Sequence, residues 1–116
     1  MLLISMALAL QMAHAQLASS CFTTAHQFHT AERSAQICRN VGSGYCFSEA
    51  YRYRTLERAA DACRNVHSDL CMQDAMQYNT VWRSAQACAG MNSDDCYRVL
   101  RQRHGIARSV EVCRGS

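Results

Sequence analysis

Residues 46–70 read CFSEAYRYRTLERAADACRNVHSDL, with Cys46 and Cys63 seventeen positions apart and no proline between them. The plan recurs along the chain. Cysteines fall at 21, 38, 46, 63, 71, 88, 96 and 113, with separations alternating between 17 and 8. Aligned on this period, the other units are CFTTAHQFHTAERSAQICRNVGSGY (21–45), CMQDAMQYNTVWRSAQACAGMNSDD (71–95) and the shorter CYRVLRQRHGIARSVEVCRGS (96–116). Counting each first cysteine as position 1, position 5 holds Ala25, Ala50, Ala75 and Leu100, and position 8 holds Phe28, Tyr53, Tyr78 and Arg103. Position 10 holds Thr30, Thr55, Thr80 and Gly105, and position 13 is Arg33, Arg58, Arg83 and Arg108. A fixed period of this size marks stacked repeats, each too small to bury a core alone.

Helical punctuation frames each unit. Ser43, Ser68 and Ser93 precede a first cysteine by three and suit an N-cap, with Asp69 and Asp94 following in the first turn. Asn40, Asn65, Gly90 and Gly115 follow a second cysteine by two, where a left-handed residue ends a helix. Between these marks the apolar positions are 1, 2, 5 and 8, then 11, 14, 15 and 18. At about 100° per residue the two stripes point in different directions, so one straight helix does not fit. A break at His29-Thr30, Arg54-Thr55, Asn79-Thr80 and His104-Gly105 resolves the conflict, because Thr and Gly serve as N-caps.

Folding the unit there sets position 1 against 18, 5 against 14, and the position-8 aromatic against 11. The expected bridges are Cys21–Cys38, Cys46–Cys63, Cys71–Cys88 and Cys96–Cys113. Each would contribute about 3 kcal/mol on the chain-entropy view. The expected fold is all-α, a short solenoid of four disulfide-stapled αα-hairpins. The alternative is an up-down four-helix bundle of single long helices, bridged Cys38–Cys46, Cys63–Cys71 and Cys88–Cys96, with Cys21 closing onto Cys113. This pattern resembles the cysteine-stapled helical repeats of some exported bacterial proteins, whose units are longer and whose cysteines are spaced differently; the likeness is architectural.

Residues 1–15, MLLISMALALQMAHA, read as a secretory signal: an apolar run from Leu2 to Leu10, then Ala13-His14-Ala15 as a cleavage site. No Lys or Arg precedes that run, which leaves an upstream start open. The expected mature chain is 16–116, a single domain of four repeats (21–45, 46–70, 71–95 and 96–116), secreted or periplasmic. Eight cysteines behind such a leader imply an oxidising compartment. The stretch Leu17 to Cys21 faintly resembles a lipidation signal, but Cys21 is in register with three other unit-opening cysteines.

The chain carries twelve Arg, no Lys and nine acids, a net charge of +3. By unit the charge is +1, 0, −2 and +4, from counting the charged residues of each. Arg98, Arg101, Arg103, Arg108 and Arg114 of the last unit form either a wetted terminal cap or a surface for an anionic partner. The position-13 arginines read as structural, with Arg58 and Asp61, and Arg108 and Glu111, at pairing distance on a helix. No cofactor or metal site is expected, because ligand cysteines usually come as C-x2-C and the nearest spacing here is C-x7-C. Met72, Met76 and Met91 read as core fillers rather than copper ligands, and His26 and His29 as surface residues.

No catalytic motif occurs, so a non-enzymatic interaction module with a protein or peptide partner is the expectation. A cationic membrane-active effector or toxin is the alternative, and a copper store the least favoured. Nucleic acid is not an expected partner, and the sequence does not fix an oligomeric state.

Overall fold

The computed structural model describes residues 20–116. The expected leader and cleavage site lie outside them. Among the described residues eight short helices come in pairs: α1 (Ser20–His26) and α2 (Ala31–Ile37), α3 (Gly44–Tyr51) and α4 (Leu56–Ala62), α5 (Asp69–Ala75) and α6 (Val81–Cys88), α7 (Asp94–Arg101) and α8 (Ile106–Cys113). Helices this short are marginal on their own, so caps, bridges and stacking must hold them.

The caps fall where the residue types suit them, except that Ser93 stands at the N-cap of α7 without a side-chain cap bond. Thr30, Thr55 and Thr80 share one extended geometry, φ −65° and ψ 163°, and their side chains accept from the backbone N–H of Arg33, Arg58 and Arg83. Gly105 holds the same place before α8 without a side-chain bond. Ser43 and Ser68 accept from the N–H of Cys46 and Cys71. Asn40, Asn65, Gly90 and Gly115 all have positive φ, between 60° and 97°, and the first three turn the chain into the next unit.

The four disulfides join Cys21–Cys38, Cys46–Cys63, Cys71–Cys88 and Cys96–Cys113, and no cysteine is free. Bridges from one unit to the next, and the long helices they would need, do not form. Cys21 spends its sulfur on Cys38, so that thiol is not available to carry a lipid.

Each hairpin packs on its neighbours in sequence, with α1, α3, α5 and α7 forming one layer and α2, α4, α6 and α8 the other. The core runs between the layers: Ala25, Ala50 and Ala75 are buried, and opposite them lie Ser34, Ala59, Ser84 and Ser109. Small side chains at these positions let the paired helices approach. Phe47, Met72, Val66 and Met91 fill the space between units.

Polar rungs tie successive units. The Ser43 hydroxyl donates to Asp69 Oδ1 at 2.5 Å, and Ser68 donates likewise to Asp94. Each serine therefore caps its own helix and holds the following unit. Arg64 reaches back to donate to the carbonyls of Ile37 and Arg39 at 3.0 and 2.7 Å. The left-handed column adds a backbone ladder, with the N–H of Asn65, Gly90 and Gly115 donating to the carbonyls of Asn40, Asn65 and Gly90.

Candidate interaction surface

Chain reversal at each hairpin turn builds the most distinctive surface. Helices α1, α3 and α7 stop at position 6, and α5 at position 5. Position 8 therefore lies in the turn, beyond the helical phase that would have aimed it inward. Phe28, Tyr53 and Tyr78 are 66, 67 and 71% exposed, which corrects the expectation that they pack against position 11. Leu56 and Val81 at position 11 are buried without them. Three aromatics in register thus line one edge of the stack, with Arg103 holding the same place in the last unit.

Beside this row, position 9 of one unit meets position 12 of the next. His29 Nε2 lies 3.7 Å from Glu57 Oε1, and one unit on, the Arg54 guanidinium stands 5.0 Å from the Trp82 ring centroid. An Arg over an indole face is a favourable cation–π contact. Next to it an open cleft of about 410 Å³ is lined by Tyr53, Arg54, Met76, Asn79, Thr80, Val81 and Trp82. Its lining combines apolar area with one guanidinium and an amide. The His26 Nδ1–H donates to the His29 carbonyl at 3.2 Å, in the first turn of this same edge.

The arginines of the last unit divide in two. Arg101 is held by Asp74 of the third unit, Nε to Oδ2 at 2.6 Å, and the buried Tyr97 hydroxyl donates to the same oxygen at 2.5 Å. Burial pushes the Asp74 carboxyl up, but the bonds from Arg101 and Tyr97 outweigh it and hold the carboxyl below its usual value. Burial and the neighbouring carboxylate raise the Tyr97 hydroxyl well above the usual phenol range. Arg98 pairs with Asp95 at 3.6 Å and Arg108 with Glu111 at 3.5 Å. Arg103 and Arg114 are exposed and form no ion pair among the described residues.

The position-13 arginines all stand exposed on the outer layer. Arg33 bonds Gln36 at 3.5 Å, while Asp61 pairs with Arg64 at 2.7 Å rather than with Arg58. The backbone N–H held by a Thr cap recurs in three units, and a side-chain contact from position 13 to position 16 in two, Arg33 with Gln36 and Arg108 with Glu111. Nothing in the structure requires Arg at all four positions.

All eight cysteine sulfurs are committed to bridges, leaving no thiolate to hold copper. Met72 and Met91 are fully buried, as core fillers are. Among the described residues no group of three His, Cys, Asp or Glu side chains gathers as metal ligands do, and no helix is long and apolar enough to cross a membrane. Compared with known proteins, the chain matches no family model, no curated protein and no solved structure, so this edge is read from its own residues alone.

Proposed function

We propose that this protein is an exported, non-enzymatic interaction module, a disulfide-hardened solenoid that holds a protein or peptide partner along its aromatic edge. The observation that carries the reading is the exposed row Phe28, Tyr53 and Tyr78. Large aromatics on a rigid frame supply contact area at low entropic cost, and they dominate binding energy at protein interfaces. The cleft between Tyr53 and Trp82 offers a pocket for one anchoring side chain. Four bridges in so small a chain suit an oxidising compartment.

A photo-crosslinking residue placed at the exposed neighbouring position 77, used in the native extracellular milieu, tests this reading. Adducts that disappear when Phe28, Tyr53 and Tyr78 are together replaced by Ser support it. Equal labelling by that folded triple variant would sink it. A membrane-active role through the last unit has less support, since Arg98, Arg101 and Arg108 are paired within the protein. Vesicle binding that survives about 0.5 M salt, where exposed charges are screened, would revive it.

A further inference from the structure

Each end of the stack presents one half of the contact that joins its interior units. Between the third and fourth units, position 4 meets positions 2 and 6, as Asp74 accepts from Tyr97 and Arg101. The N–H at position 20 donates to the position-20 carbonyl of the preceding unit. Arg64, at position 19, donates to the preceding carbonyls at positions 17 and 19.

At the two ends of the described stack no described residue uses these halves. On the first unit Phe22 and His26, positions 2 and 6, stack with centroids 5.6 Å apart, and both are exposed. Arg39, in register with Arg64, is exposed with no side-chain bond, and the Asn40 N–H has no acceptor among the described residues. On the last unit Val99, at position 4, is 63% exposed and Val112, at position 17, is 48% exposed. The Gly115 carbonyl accepts no bond from a described residue. Position 4 is Thr24, Glu49 and Asp74 in the first three units. The single apolar residue of that column, Val99, stands on the fourth unit, where no described residue covers it.

We propose that the chain binds a second copy of itself head to tail, the last unit of one molecule stacking on the first unit of the next as interior units stack. Val99 would then cover Phe22 and His26, Arg39 would donate to the Val112 and Arg114 carbonyls, and the Asn40 N–H to that of Gly115. One rung is missing, because Ser19 stands in sequence where Asp69 and Asp94 stand in the interior units. The contact is accordingly weaker than those made through Asp69 and Asp94. Being heterologous, it does not close on a two-fold axis and grows as an open series. Both end units are net positive, so salt strengthens the association by screening their repulsion.

Sedimentation of the oxidised chain from Gln16 onward, from about 10 μM to about 1 mM, reads the association in the range of weak contacts. The expected result is dimers, trimers and larger species that increase with concentration and with salt. Val99→Asp spoils the tail alone and Phe22→Asp the head alone; each should weaken association roughly tenfold or more. Mixed in equal amounts, the two variants should form dimers that stop there, because one sound head and one sound tail remain. That rescue also shows that both variants are folded. A wild-type chain that stays monomeric at the highest concentration, or closes as a dimer, overturns the proposal. So does a mixture that remains monomeric.

Discussion

Replacing Asp74 by Asn removes one charge from the junction of the third and fourth units and leaves its shape. In the native protein this carboxylate accepts from the buried Tyr97 hydroxyl and from Arg101 at 2.5 and 2.6 Å. Hydrogen bonds to a charged group contribute about 1.5–3 kcal/mol each, but Asn keeps one acceptor, so a net loss of about 2 kcal/mol is expected. In a domain of this size that lowers the unfolding midpoint by roughly 10 °C. The Asp74 carboxyl is held below its usual value in the folded state, so its stabilisation is present above the unfolded-state value and is lost as pH falls through the folded one. Thermal unfolding of the oxidised proteins should therefore show the full gap at neutral pH. As pH falls through the folded-state value and the wild-type carboxyl becomes neutral, the gap should narrow. Equal midpoints at pH 7, or a gap that stays unchanged down the whole acid limb, would refute the assigned role.

Other substitutions separate buried from exposed parts of the repeat. Ser84 and Ser109 hydroxyls are buried without a partner, whereas Ser34 donates to the Thr30 carbonyl at 2.8 Å. Urea unfolding should find Ser84→Ala and Ser109→Ala neutral or stabilising, and Ser34→Ala destabilising by about 1 kcal/mol. The combined Ser replacement of Phe28, Tyr53 and Tyr78 should shift stability by no more than roughly 0.5 kcal/mol per site, an effect proper to surface positions. A Cβ at Gly42 would lie 1.9 Å from His67 Nδ1, so Gly42→Ala should cost about 1–2 kcal/mol by overpacking. In a His67→Ala background the same change should be nearly neutral, which a double-mutant cycle measures directly.

Much of the fold is legible in the sequence because it rests on local chemistry repeated four times. Thr30, Thr55 and Thr80 can cap a helix from their own side chains, and Asn40 and Asn65 tolerate positive φ better than most residues. The cysteine spacing then leaves few pairings once the hinge is placed. The aromatic edge is not legible in this way, because assigning position 8 to a stripe extends a helix that stops two or three residues earlier. The rungs between units were also hidden. Asp69 and Asp94 read as companions of their own helix starts, while the structure shows them accepting from serines 26 residues earlier. The recurrence of Ser at position 23 with Asp at position 24 of the next unit is the signal that could have shown it. The apparent basic patch was thinned by contacts no charge count reveals, above all Arg101 with Asp74 of the preceding unit.

The repeat stands or falls on its bridges, and a non-reducing tryptic map reads them. Cleavage at the arginines should leave the peptide ending at Arg33 linked to Ser34–Arg39, and Asn40–Arg52 linked to Ala59–Arg64. Asn65–Arg83, Ser84–Arg98 and Ser109–Arg114 should appear as one three-peptide cluster. Ser34–Arg39 linked to Asn40–Arg52 would place the bridges between units and contradict the hairpin stack.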